Sequence, residues 1–349
     1  MILPQTSSLV LALMVLSLLF LGGWASMFKA AGKWRYELFY LDFAFGVIIA
    51  VAVCSFTVGD LGFDGFSFID DLQHAGKRQW VFALVAGMIF NLGNILLLGA
   101  VSVAGLTIAF PGALGVALLL RTLLGFTGNA TANTTLVLLG CLFILTSVVV
   151  NAITYRVVGV LRHEQLARAG VAKSTRRPNP VKGIILIVVS GLLMGSIGGL
   201  MAKAREGDLG MGPYAAGAMF ALGVFVSSFV YVVFLMNLPV EGEPLEFTAY
   251  FKGRLGQHIL SFLGGVLWYL GILAALVGSS VPETLQPQEP LRFLLAQGAA
   301  VVAALLGIVA WRELKGGDMR VRILAALMLV LFVCGLTMIG LAPLYVTKL

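Results

Sequence analysis

The amino-acid sequence predicts an all-α, polytopic membrane protein: ten transmembrane helices arranged as two five-helix inverted repeats. Three observations lead there. Apolar stretches of membrane-spanning length recur along the whole chain. The sequence matches itself weakly at an offset of about 173 to 178 residues. Five spans per half, an odd number, make the second half enter the membrane from the opposite side to the first.

The composition excludes other classes. With 60% hydrophobic residues, 11% charged residues and a mean hydropathy of +1.01 over 349 residues, the chain is far more apolar than a soluble domain. A net charge of +7 would suggest nucleic acid in a soluble protein. Here the lysines and arginines are better read as fixing topology, and no nucleic-acid partner is expected. Cys54, Cys141 and Cys334 lie in apolar stretches, where a thiol behaves as a small hydrophobe, so neither a disulfide framework nor a metal site is implied.

The expected spans are residues 6–28, 38–59, 80–100, 102–122, 134–155, 182–203, 214–237, 257–279, 291–311 and 322–345. The first has no basic residue before it and exceeds a signal-peptide core, so it reads as a retained helix. Only Ser102 and a glycine-containing stretch separate the third and fourth, which leaves a re-entrant segment as the alternative there. The halves are residues 1–160 and 182–349, joined by a linker at 161–181 whose charges, Pro178 and Pro180 mark it as such. In the internal match, Ser17, Leu19 and Gly22 fall on Ser190, Leu192 and Gly195. Gly87, Phe90, Leu92 and Gly93 fall on Gly265, Trp268, Leu270 and Gly271.

Loops after the odd-numbered spans carry sixteen lysines and arginines against seven on the other side. That asymmetry places the first set in the cytoplasm and both termini outside, in a multi-pass protein of the cell (inner) membrane.

Polar side chains inside spans are the default site candidates, because hydrocarbon makes them costly. Asn91 and Asn94 share one helix face and serve either a solute or interhelical bonding. By the repeat offset Trp268 and Tyr269 take the places of Phe90 and Asn91, and an inverted repeat would bring these faces together near the centre. Such a set suits a neutral, hydrogen-bonding, flat or ring-shaped solute. Gln297 adds an amide beside a glycine. Pro111, in IAFPGALG, is expected to break the fourth span near its middle, either lining a cavity or forming a packing kink.

No span carries a central Asp or Glu, which disfavours export of organic cations. Asp42 and Glu37, near the start of the second span, are the residues able to carry a coupling proton. His74, His163 and His258 fall in loops or at a span edge, and no HExxH, paired-carboxylate or GxxxxGK[ST] pattern occurs. No catalytic residue, metal site or cofactor is therefore expected, and the chain is not read as an enzyme.

Charge concentrates in GKWRYELFYLDFAFG, residues 32–46. Lys33, Arg35 and the aromatics Trp34, Tyr36, Phe39 and Tyr40 fit an interfacial anchor. The acids do not, since Asp42 lies about a turn inside the span and needs a partner or a proton. Lys29, Lys33 and Arg35 are the expected partners, in a cluster that is either a gate or a brace.

These residues also carry a resemblance. GGWASMFKAAGKWRYELFYLDFAFG, residues 22–46, resembles the signature of the glucose/ribose porter and ureide permease branch of the drug/metabolite transporter (EamA-like) superfamily. Residues 90–118 resemble that branch's third and fourth helices, and 296–314 its ninth with the following basic loop. The resemblance implies a ten-helix carrier that imports small neutral polar solutes such as sugars, ureides or nucleobases, commonly with protons as coupling ion. It carries over Trp24, Lys29, Lys33, Trp34, Arg35, Glu37, Tyr40 and Asp42 as motif residues, and Asn91, Asn94, Pro111 and Gln297 as cavity residues. Two departures stand out: the nucleotide-loop-like motif of plant ureide permeases is absent between Arg162 and Pro180, and Phe43 stands where the branch often has tyrosine. Efflux of a metabolite or drug, and a non-transporting scaffold or sensor, are the competing readings. Oligomeric state is not legible.

Overall fold

A computed structural model describes residues 1–126, 132–168 and 180–345. Within them the chain is helical without strands: α1 (Ser7–Gly23), α2 (Ser26–Ala30), α3 (Tyr36–Phe56), α4 (Phe68–His74), α5 (Lys77–Ala104), α6 (Leu106–Phe126), α7 (Thr134–Arg168), α8 (Pro180–Ser196), α9 (Gly198–Arg205), α10 (Pro213–Asn237), α11 (Leu255–Gly278), α12 (Leu291–Gln297), α13 (Ala299–Val309) and α14 (Met319–Leu341). Among the described residues eight helices are long and apolar enough to cross a membrane, with α8 and α9 counted together as one, Pro180–Arg205. The α12–α13 pair, bent by 58°, makes a ninth if counted as one span, and α1 is apolar but shorter, at 17 residues. Leu142, Val149, Val230 and Val309 each keep half or more of their surface exposed. Helices that turn such side chains outward belong in lipid, which makes this a multi-pass membrane protein.

The ends of these helices follow from local chemistry. The Thr6 hydroxyl accepts from Leu9 N at the start of α1, Asn133 Oδ1 from Leu136 N at the start of α7, and Asp318 Oδ1 from Val321 N at the start of α14. Pro213 opens α10, where its missing N–H costs nothing. Between α5 and α6 the turn is made by Gly105, whose φ of +87° suits glycine. It separates two helices that are each long and apolar enough on their own to cross a membrane.

Two expectations are corrected. The helix expected to break at Pro111 does not, because α6 begins at Leu106 and runs through the proline. Pro111 therefore sits within the first two turns, where few intrahelical donors are lost. The break falls instead at Gly298, between α12 and α13, and the first stretch also divides at Trp24 and Ala25. The expected linker at 161–181 lies largely outside the described residues; what is described of it begins as the end of α7, which runs 35 residues.

The helices fall into two compact units, each assembled from both halves of the chain. Unit 1 comprises Met1–Ile95 and Ser196–Ala299, and unit 2 comprises Leu96–Gly195 and Ala300–Leu349. In unit 1, α3 packs on α11 and α10, and α1 on α11; in unit 2, α14 and α6 pack on α7.

Glycines set the closest helix approaches in unit 1, and they do so twice. A Cβ on Gly265 would collide with the Phe43 carbonyl, and one on Gly46 with the Phe262 carbonyl, which holds α11 against α3. A Cβ on Gly87 would collide with the Phe220 carbonyl, and one on Gly223 with the Leu84 carbonyl, which holds α5 against α10. Phe43 and Gly46 precede Phe220 and Gly223 by 177 residues, while Leu84 and Gly87 precede Phe262 and Gly265 by 178. The same contact is thus made in both places with the roles of the halves exchanged.

Candidate functional site

Unit 1 buries a neutral hydrogen-bond network where α3, α5 and α10 meet. Asn91 is fully buried; its Oδ1 accepts from Tyr40 Oη at 2.8 Å, and its Nδ2 donates to the Val224 carbonyl at 3.0 Å, Ser227 Oγ at 2.9 Å and Ser228 Oγ at 3.1 Å. Asn94 Nδ2 donates to Tyr40 Oη at 2.9 Å. The two serines in turn donate to carbonyls of their own helix, at Gly223 and Val224. Both amides chosen from the sequence thus meet through Tyr40. Asn91 is bonded throughout, so it glues helices together in this conformation.

An aromatic cluster lies in the same unit. Trp268 is buried and stacks with Phe220 at 6.3 Å, with Phe43 at 5.7 Å and Phe90 at 5.8 Å between ring centroids. Trp24 joins through Phe43 at 5.1 Å, and Tyr40 stacks on Phe43 at 4.7 Å. Phe90 and Trp268, paired by the repeat offset, therefore stand ring to ring. The Tyr269 hydroxyl and Ser55 Oγ are buried near one another, and neither makes a hydrogen bond of ordinary geometry among the described residues.

Asp42 has partners that differ from those expected. Its Oδ1 accepts from Tyr250 Oη at 2.5 Å and its Oδ2 pairs with His258 Nδ1 at 2.8 Å. Tyr250 lies on a 3-10 turn, Phe247–Lys252, and His258 in the first turn of α11. The rings pack edge to face, Tyr250 on His258 at 4.8 Å and Trp34 on His258 at 5.3 Å. Burial, and then the bond to Asp42, push the Tyr250 hydroxyl above its ordinary pKa, so it stays protonated and donates. Arg35 serves Glu37 instead: Nη2 and Nε reach the fully buried carboxylate at 2.6 and 3.1 Å, and Nη1 donates to the Glu243 carbonyl at 3.2 Å. That bond to Glu37 raises the guanidinium above its ordinary pKa. Lys33 is exposed and Lys29 half-buried.

The other candidates lie apart from the network. Gln297 ends α12 at the bend, where a Cβ on Gly298 would press on Leu18 of α1. Pro111 belongs to unit 2. There Asn151, an amide that the sequence reading passed over, donates Nδ2 to the Ile108 carbonyl at 2.8 Å while its buried Oδ1 has no partner among the described residues. Also in unit 2, Glu313 takes the amides of Leu106 and Thr107 at 2.9 and 2.8 Å and the Thr107 hydroxyl at 2.8 Å, capping α6. Among the described residues no group of three or more His, Cys, Asp or Glu side chains could hold a metal ion.

No family model matches the chain. A curated relative, ureide permease 1 of Arabidopsis thaliana, is 29% identical over 101 residues, which is 28% of this chain and 26% of that protein. The match thus spans about a quarter of the relative's length. A solved crystal structure of a protein, 16% identical, overlaps 95% of this chain and 96% of its own with a TM-score of 0.48.

Proposed function

We propose that the chain is a secondary active transporter that takes up a small neutral polar solute, such as a sugar, ureide or nucleobase, by alternating access. The observation that carries the reading is the doubled glycine contact in unit 1. Gly265 against Phe43 and Gly87 against Phe220 support a ten-span chain of two inverted five-helix repeats, counting α1 and the bent α12–α13 pair as spans. That architecture is characteristic of carriers whose site lies at the repeat interface near the bilayer midplane. The short match to a ureide permease points the same way.

The chemistry of the network favours a neutral guest. Asn91, Asn94, Tyr40, Ser227 and Ser228 offer amides and hydroxyls without a formal charge, so a solute carrying hydroxyl or amide groups can exchange for their mutual bonds one for one. Tyr269 and Ser55 provide two further hydroxyls, and Trp268 an aromatic face. Trp24 supports that face through Phe43. Coupling to a proton through Asp42 or Glu37, with Lys29, Lys33 and Arg35 as neighbouring charges, belongs to the same reading, as does a place in the cell membrane with both termini outside.

Counterflow in proteoliposomes tests it: vesicles preloaded with unlabelled sugar, ureide or nucleobase are expected to accumulate the matching labelled solute transiently. Folded, monodisperse protein that exchanges none of the panel would favour a scaffold or sensor.

A further inference from the structure

Resting on that reading, we infer that Asp42, His258 and Tyr250 form the coupling-proton site, with Asp42 as the acceptor and His258 and Tyr250 as the side chains that turn its protonation into release of α11 from α3. None of the charges first assigned to Asp42 holds it. Its two oxygens are bound by a phenol and an imidazole 208 and 216 residues away. Both come from the start of α11 and the turn before it, so the carboxylate fastens that segment to α3 at one end of unit 1.

The protonation chemistry follows from lone pairs. As a carboxylate, Asp42 accepts from Tyr250 O–H on one oxygen and from His258 Nδ1–H on the other. When an Oδ lone pair takes a proton, that oxygen becomes a donor, one of the two incoming bonds is lost, and the remaining acceptor is neutral and weaker. The proton enters and leaves as such, with no other bond made or broken. Among the described residues, Gln257 Nε2 also donates to the Ala31 carbonyl at 3.2 Å and Arg35 Nη1 to the Glu243 carbonyl at 3.2 Å, and Trp34 packs on His258 with its own indole N–H buried and unpaired. An orphaned donor draws stability from the closed arrangement, which suits an element that must open.

The groups facing Asp42 from the packed elements are His258 on α11 and Tyr250 on the 3-10 turn. On α3 itself Arg35 and Glu37 hold one another, with Glu241 of the preceding loop near Arg35. Lys29 on α2, Lys33 before α3, Glu243 and Glu246 in the loop after α10, and Lys252 and Arg254 flanking the start of α11 are further charges at this end. Arg and Lys keep their charge between about pH 8 and pH 5, so the change on acidification is assigned to Asp42 and its two bonds.

Ser261, buried one turn beyond His258 on α11, reports opening. Ser261→Cys is made in a background with Cys54, Cys141 and Cys334 replaced by alanine, and its labelling by a water-soluble thiol reagent is followed in the purified full-length protein between about pH 8 and pH 5. Rates are corrected for the thiolate fraction with an exposed control cysteine at Ala30. The corrected rate should climb by up to about tenfold per pH unit through one transition, as a single proton dictates. Tyr250→Phe, which removes one donor to the carboxylate, should move the midpoint to higher pH, and Asp42→Asn should label at every pH. Labelling flat with pH, or a Tyr250→Phe midpoint unmoved or shifted to lower pH, overturns the proposal even if Asp42→Asn fails to fold. Pre-steady labelling is independent of transport: a pH-gated protein without solute exchange keeps the proton site and loses the transport reading, while exchange with flat labelling does the reverse.

Discussion

Asp42 in unit 1 and Glu313 in unit 2 are carboxylates held in contrasting ways. Glu313 accepts from two backbone amides and a hydroxyl at the first turn of α6, donors that keep their protons at any ordinary pH. Space is reserved for it: a Cβ on Gly105 would come within 2.7 Å of the carboxylate, and one on Gly307 within 2.7 Å of its Oε2. Asp42 accepts from side chains, a phenol and an imidazole carried by a distant segment. An acid fixed by backbone donors cannot let go without uncapping a helix, so it is a structural clamp. One fixed by side chains of a distant segment can let go and leave both helices intact. The same functional group is therefore suited to permanence in one unit and, on our proposal, to movement in the other, according to what donates to it.

The largest effect expected is at the clamp. Glu313→Ala orphans three donors and should lower stability by about 3 kcal/mol or more, read as an earlier thermal unfolding transition in detergent. Gly105→Ala, which adds strain at φ +87° and a clash, should act in the same direction. An unchanged transition for either would mean that Glu313 is not a clamp. Next comes Asn91→Ala. Losing a central amide leaves Tyr40, Ser227 and Ser228 short of partners, at about 1 to 3 kcal/mol, and should reduce solute exchange much more than it lowers expression. Normal exchange would remove the network from the proposed site.

Asp42→Asn should be milder on the fold, with a thermal transition close to the parent and the pH response gone. If the variant instead loses folded protein while Tyr250→Phe does not shift the response, the cluster is a brace and resembles Glu313 after all. The smallest effect concerns Asp71 in α4, a third buried acid, whose one described bond is from Gly212 N. Burial raises its pKa above the ordinary value, an effect that outweighs the Gly212 bond. A raised carboxyl pKa means that the folded state prefers the proton, so its contribution favours folding at low pH and is lost as pH climbs from the ordinary carboxylate value through the raised one. Asp71→Asn should flatten that part of the dependence of thermal stability on pH; an unaltered slope would remove Asp71 as its source.

Hydropathy made the apolar segments legible, because lipid imposes a length that soluble cores do not. The offset between Gly87 and Gly265 was legible because both positions hold glycine, the residue that permits the backbone approach seen at Phe220 and Phe43. Asn91 and Asn94 stood out as amides in hydrocarbon, and the structure brings them together on Tyr40. Asn151 had the same signal in TSVVVNAIT and was passed over. Other features lay beyond local sequence. Pro111 reads as a breaker, yet its effect depends on where α6 begins, which Gly105 and Glu313 decide from 207 residues apart at the Leu106 amide. Tyr250 and His258 sit in a polar stretch that reads as a loop and its edge, and no spacing rule links them to an acid more than 200 residues earlier. Lys29, Lys33 and Arg35 looked like partners because they are near in sequence; helix geometry turns Arg35 to Glu37 instead.

Solute uptake into proteoliposomes under an imposed pH gradient, acid on the side opposite the Asp42 end, tests the central claim most directly. The account predicts that a sugar, ureide or nucleobase of the panel accumulates above its equilibrium level, that collapsing the gradient stops it, and that folded Asp42→Asn protein still exchanges the solute without accumulating it. Accumulation that ignores the gradient, or that survives in Asp42→Asn, would contradict it.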